Sequence, residues 1–346
     1  MSFEYLALNF GIGAILALSL NIEVGLTGIP QFGRVMAVLV GALAAGGLMS
    51  RIAAALLGLP WGVEYAEASS RYASIINTAL ANNPLLAIAL LITALVLAIV
   101  LGGIIGYAAA FPALRLRESY LGITLLSFGE ILRSILYNYT PLIGGTKGLS
   151  IPDVFRFIHG YRSQVAIAFI LVMTIIALLI AERINRSPLG RAMKAVRDSE
   201  IAAEVYGKDI ATIRAYALII GSSMASVAGA LYALFTQTIY AYQFSRYEFT
   251  FLPWAYMMLG GVGNNIGVVL GVLLFSTARM MIVMYKYEIS MVIPIDPIWL
   301  EYLLTGLIIV VITIFRPKGL LPEKPAFTLP RKAIEDIAKN VRSESE

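Results

Sequence analysis

Between Pro84 and Phe111 the chain reads PLLAIALLITALVLAIVLGGIIGYAAAF, with no charged side chain anywhere in the run. At a rise of about 1.5 Å per residue, some 20 helical residues cross a hydrocarbon core about 30 Å thick. A run this long and this apolar is a membrane span, and it is helical because lipid offers no partner for an unbonded backbone group. Comparable runs lie near 3–20, 33–57, 119–138, 164–182, 214–236, 266–285 and 299–315, and a shorter one at 251–263 reads as a half-helix. The fold class that follows is all-α, a polytopic integral membrane helical bundle of about nine spans, within a range of roughly eight to ten, some of its helices broken.

Composition agrees. Of 346 residues 59% are hydrophobic and only 14% charged, against about a quarter charged in soluble domains, and mean hydropathy is +0.82. A water-soluble globular enzyme is excluded. The chain has no Cys and a single His, His159, so disulfides, Cys-ligated metals and thiol nucleophiles are excluded and a Ser/His/Asp triad has almost no material. No metal and no cofactor is expected. The net charge of +5 comes from basic residues beside span ends rather than from one solvated face, which argues against nucleic acid as a partner. The first apolar run opens on Ser2-Phe3-Glu4 rather than on a basic region, so a removable signal peptide is not expected.

Lys and Arg in short loops set orientation, because cytoplasmic loops carry their excess. Arg183, Arg186, Arg191, Lys194, Arg197, Lys208 and Arg214 crowd one link, Arg115 and Arg117 another, and Arg316, Lys318, Lys324, Arg331, Lys332, Lys339 and Arg342 the end of the chain. All three segments are expected in the cytoplasm, with loops 58–83 and 139–163 outside. Working back from 84–111 then puts the amino terminus outside, with Arg34 the single basic residue that marks this end.

Helices in lipid associate through small residues that let backbones approach. Gly102 with Gly106, Gly267 with Gly271, and Ser222, Ala225, Ser226 and Gly229 supply such faces. The stretch Gly260-Gly261-Val262-Gly263-Asn264-Asn265 breaks an otherwise apolar segment; it reads either as backbone bordering a wet path or as a tight turn between short helices. Asn21 to Gly33 is a similar broken segment. Charges inside the spans read as few: Glu130 and Arg133, three apart on one helical face, are the pair that stands out.

The most specific stretch is 187–209. Ser187-Pro188 opens a helix, because Pro at the first helical position forgoes no hydrogen bond; Asp198 restarts a second, which Gly207 can close in a left-handed cap. Two short helices between two spans suggest a docking surface. In this stretch Gly190, Arg191, Ala195, Arg197, Asp198, Ala202, Ala203 and Gly207 resemble the cytoplasmic coupling loop of the permease subunits of branched-chain (hydrophobic) amino-acid ABC importers. Further stretches fit the same family in order: Leu114 to Arg117 followed by Tyr120 to Leu125 and Phe128 to Arg133, the loop Gly144 to Leu149, the Gly260 to Gly263 break, and Arg316 to Leu321. Asn264-Asn265 and Lys147 depart from the usual pattern.

The resemblance implies a permease domain over 1–322, its coupling loop at 183–213, and a cytoplasmic tail over 323–346. It implies a multi-pass protein of a prokaryotic cytoplasmic membrane that is no enzyme; no Gly-x4-Gly-Lys-Ser/Thr occurs in the sequence, so nucleotide is expected on other subunits. Besides lipid, the implied partners are a second homologous permease, two ATP-binding subunits and an extracytoplasmic binding protein. Arg191, Arg197 and Glu204 are candidate polar contacts to the ATPases. Thr124, Glu130, Gly260, Gly261, Gly263 and Asn264 are candidates for the translocation path. Branched-chain amino acids are the expected substrates, with a urea or short-amide permease and an ion-coupled secondary transporter as alternatives.

Overall fold

The computed structural model describes residues 2–116, 118–158, 160–292, 297–316 and 318–323. His159, Arg117 and the tail beyond 323 lie outside the described residues. Helices α1 (Ser2–Leu20), α2 (Arg34–Leu43), α3 (Ser50–Leu56), α4 (Val63–Glu67), α5 (Ser69–Asn82), α6 (Pro84–Arg115), α7 (Glu118–Asn138) and α8 (Thr140–Ile143) precede a two-residue strand β1 (Leu149–Ser150). Helices α9 (Arg162–Arg186), α10 (Pro188–Asp198), α11 (Glu200–Val205) and α12 (Ile210–Thr236) lead to β2 (Thr238–Ile239), and α13 (Leu252–Gly260), α14 (Asn265–Val292) and α15 (Pro297–Phe315) complete the bundle. Among the described residues, seven helical segments are long and apolar enough to cross a membrane: Glu4–Leu26, Arg34–Leu56, Pro84–Arg115, Ser119–Asn138, Arg162–Arg186, Ile210–Thr236 and Asn265–Tyr285. The expected half-helix is α13, extended at its start by a π-turn over Tyr247–Phe251.

The centre of the bundle is the first span, the second span and α12, whose side chains are mostly buried, whereas α6, α7 and α9 show one broad apolar face outward. Small residues set that packing. A Cβ on Gly102 would lie 2.8 Å from the Ser222 carbonyl oxygen, and one on Gly229 3.0 Å from Val38 Cα. Such separations admit only hydrogen, so α6 and α2 press against α12 backbone to backbone. Gly267 and Gly271 do the same between α14 and α13, where a Cβ on Gly267 would meet the Gly260 carbonyl oxygen at 2.5 Å.

Two expectations need adjustment. Asn21 to Gly33 is not broken throughout, because a π-turn carries the first helix on to Leu26 and only 27–33 leaves helical form. Loop 58–83 is mostly helical: Ala73, Ile76 and Leu80 of α5 are buried at helical spacing beneath its polar face. At this end of the bundle β1 pairs antiparallel with β2, Leu149 opposite Ile239, just after the glycine loop in which Gly144, Gly145 and Gly148 all take positive φ.

Candidate coupling surface and charged core

At the opposite end, α10 and α11 lie between α9 and α12. The Ser187 hydroxyl caps α10 by accepting from the Gly190 amide at 3.1 Å, with Pro188 in the first turn. The second helix is capped by Ser199 rather than by Asp198: its hydroxyl accepts from the Ala202 amide at 3.3 Å, while Asp198 is the last residue of α10. Helix α11 closes as the sequence suggests. Gly207 has φ +71, its amide donates to the Glu204 carbonyl at 2.9 Å and the Lys208 amide to the Ala203 carbonyl at 3.0 Å, the paired bonds of a left-handed helix stop. The Asp209 carboxylate then caps α12 through the Thr212 amide at 3.2 Å and, at 2.5 Å, the Thr212 hydroxyl, hydrogen bonds that hold its pKa below the ordinary aspartate value.

This unit has an inner and an outer face. Gly190, Met193, Val196 and Ala203 are buried, Gly190 so close to the Ile184 and Asn185 carbonyls that no side chain fits there. Arg191, Ala195, Asp198, Ala202, Glu204 and Gly207 are exposed. Between them stand three apolar side chains on α11 and its stop: Ile201, Val205 and Tyr206 are 79%, 80% and 82% exposed. The sequence reading passed over these three, although an apolar pair at i and i+4 beside Glu200 and Glu204 on a short helix was visible.

Arg197 is turned inward. Its Nη1 donates to the Gly25 carbonyl at 2.5 Å and to Glu323 Oε2 at 2.8 Å, and its Nε to Asp198 Oδ1 at 3.0 Å; Lys194 Nζ takes the other Glu323 oxygen at 2.8 Å. Partial burial works against the guanidinium charge, but Glu323 and Asp198 outweigh it and hold the Arg197 pKa above its ordinary value. The polar contacts of Arg197 thus tie α10 to the end of the first helix and to the segment after α15. They lie within the chain, as do those of Arg191, whose Nη1 reaches the Arg186 carbonyl at 3.3 Å.

The glycine break belongs to the same end. Gly261 (φ +122) and Gly263 (φ +82) turn α13 into α14, and Leu320 and Leu321 donate to the Leu259 and Gly260 carbonyls at 2.9 Å. The Gly263 amide donates to Asn21 Oδ1 at 2.8 Å, Asn21 Nδ2 to Asn265 Oδ1 at 2.9 Å, and Asn265 Nδ2 to Glu182 Oε2 at 3.1 Å. A polar chain therefore joins α9, α14 and the first helix beneath α10. Asn264 caps the start of α14 through the Ile266 and Gly267 amides, both at 3.2 Å.

Charges inside the bundle outnumber those the sequence analysis singled out. Glu23 and Arg34 form an ion pair at 2.7 Å with both side chains 0% exposed. Arg34 Nη1 also donates to the Gly221 carbonyl at 3.2 Å, and the Ser222 hydroxyl to Glu23 Oε1 at 3.3 Å. Gly221 is glycine for a reason, since its Cβ would run into the Glu23 side chain. Arg34 is therefore no surface charge and does not mark the side on which the amino terminus lies. Arg279 pairs with Glu248 at 2.7 Å. Glu130 pairs with Arg246 at 2.8 Å and with Arg133 at 3.5 Å. Thr124 points away from that pair, one-third of a turn or more around α7, and donates to the Tyr120 carbonyl at 2.8 Å. The path candidates thus divide between mid-helix Glu130 and the glycine turn at the coupling end. Glu23, Glu130 and Glu248 all face a guanidinium, so none of the three is a lone buried acid.

Comparison with known proteins fits this architecture. Residues 2–313 match the family described as branched-chain amino acid transport system / permease component. The probable branched-chain amino acid transport permease protein LivM of Methanocaldococcus jannaschii is 40% identical over 326 residues, 93% of this chain and 94% of that protein. The high-affinity branched-chain amino acid transport system permease protein LivM of Salmonella typhimurium is 32% identical, over 66% of this chain and 57% of its own length. Its counterpart in Escherichia coli is also 32% identical, over 63% and 54%. No solved structure matches the chain.

Proposed function

Because this chain belongs to the permease-component family of branched-chain amino acid transport systems, we propose that it carries branched-chain amino acids inward across a prokaryotic cytoplasmic membrane as one subunit of an ABC importer. The permease domain spans 1–322, with its coupling loop at 183–213 and the tail from 323 on the cytoplasmic side. Energy comes from two separate ATP-binding subunits that dock on α10 and α11, a second homologous permease completes the path, and an external binding protein delivers the substrate. The observation that carries this reading is the exposed apolar triad Ile201, Val205 and Tyr206, held on a helix pair whose other face is locked into the bundle. Water-exposed apolar side chains clustered on a capped, six-residue helix mark a protein contact. A rigid loop tied to the first helix, the glycine turn and the 318–323 segment would pass a push on α11 to several spans at once.

The test is co-purification in mild detergent, with partners identified by mass. The wild-type chain is expected to retain ATP-binding subunits and a second permease. Ile201→Glu with Tyr206→Glu is expected to cut the recovered ATP-binding subunits at least about tenfold while folding is unaffected, because exposed substitutions usually change stability within about 0.5 kcal/mol. Full retention of those subunits by the double variant would move the docking surface elsewhere.

A further inference from the structure

Glu130 is the twelfth residue of the 20-residue segment Ser119–Asn138, about 16 Å from one end and 12 Å from the other at 1.5 Å per residue. It sits at mid-depth. Yet the side chains around it are open at the surface of the chain: Glu130 is 26% exposed, Arg133 34% and Arg246 44%. Two guanidinium groups and one carboxylate at the bilayer centre cannot face lipid without a cost of several kcal/mol, so they face water or protein. Ser119, Gly122, Ile123, Leu126, Glu130 and Arg133 fall on one stripe of α7 by helical spacing. Below the charges that stripe walls a groove of about 460 Å³, closed on its other side by Phe32 and Phe251 and lined almost wholly by apolar groups.

The groove and the charges together match one kind of ligand. The trio carries two positive charges and one negative, a surplus of one, as a carboxylate ligand requires. Arg is the residue best shaped to take a carboxylate through paired N–H groups. Glu130 is the complementary partner for an ammonium group, and the adjoining groove suits an aliphatic chain. Resting on the family reading above, we propose that this face of α7 is the substrate-contacting wall of the path: Arg246 and Arg133 receive the carboxylate of the amino acid at mid-depth, Glu130 its ammonium, and the groove its branched side chain.

The chain has no Cys, so a single introduced thiol reports its own surroundings. Leu126→Cys and Ile123→Cys are placed in the groove, and Leu179→Cys, 63% exposed on the apolar outer face of α9, serves as the lipid control. Each is assembled with its importer partners in proteoliposomes and treated with a charged, membrane-impermeant methanethiosulfonate during ATP turnover. The groove thiols are expected to react and Leu179→Cys to stay inert. Saturating leucine is expected to slow the groove reaction at least about threefold by occupancy. Arg246→Gln is expected to raise KM for leucine about tenfold with kcat little changed, and Arg246→Lys to lose less. Groove thiols that stay inert in variants still transporting leucine, or that react at a rate leucine does not alter, would overturn the assignment. Absence of ATP-driven leucine uptake by the wild-type assembly would instead overturn the family-based substrate, independently of the labelling.

Discussion

Replacing Arg34 by Met is expected to remove most of the folded protein recoverable in detergent, and replacing Glu23 by Gln to do nearly as much. The pair is wholly enclosed, so removing one partner leaves an uncompensated charge, or an unpaired polar group, against the Gly221 backbone and the Ser222 hydroxyl with no exposure to water. Breaking a buried pair in this way costs about 3–5 kcal/mol. Removing both charges is a different matter. A shape-matched apolar pair in the same space forgoes the desolvation cost of two ions, and such exchanges are often neutral or stabilising. The double variant Glu23→Leu with Arg34→Met is therefore expected to recover at least half of the loss in thermal stability seen in Arg34→Met, leaving the Ser222 hydroxyl to bond within its own helix. Losses that simply add in the double variant would show that the two side chains do not act as a pair.

The second large effect is expected at Arg197. Changing it to Glu sets a carboxylate against Glu323 and against the Gly25 carbonyl, where a donor now stands. The α10 to first-helix tie is lost and a repulsion takes its place, while Ile201 and Tyr206 on the far face are untouched. ATP-binding subunits are expected to remain bound, but leucine uptake is expected to fall at least about tenfold, because a rigid-body push on α11 no longer reaches the first span. Arg197→Lys keeps the charge without the fork and should fall between. The pKa of Arg197 is raised in the folded chain, so the stability it contributes is fully present below its unfolded value, across the neutral range, and is lost only as pH rises through the folded value in strong alkali. Uptake by Arg197→Glu within twofold of wild type would remove this tie from the mechanism.

These two sites also show what a linear sequence discloses. The spans were legible because a bilayer asks for about 20 apolar residues in succession, and runs of that kind carry their own signal. The α10 to α11 unit was legible for local reasons: Ser187-Pro188 and Gly207 act within one turn of where they stand. Glu23 and Arg34 were not, because Glu23 lies between two apolar runs and Arg34 at the very start of the second, where charges read as ordinary end or loop residues. Only the chain reversal at 27–33 brings them together and inside. Arg246 was missed likewise, since it follows a short irregular segment and meets Glu130 only through tertiary packing. The 318–323 segment had a recognisable motif, yet its docking on Gly260 and Gly261 depends on positive φ values that residue identity permits without requiring.

ATP-driven uptake tests the functional reading most directly. The chain, its co-purified permease and ATP-binding subunits are reconstituted in liposomes with the external binding protein, and accumulation of radiolabelled leucine is followed. Uptake is expected only when all subunits and ATP are present together. Leucine accumulation by this chain alone, without ATP and following an imposed ion gradient, would contradict the importer and identify a secondary carrier.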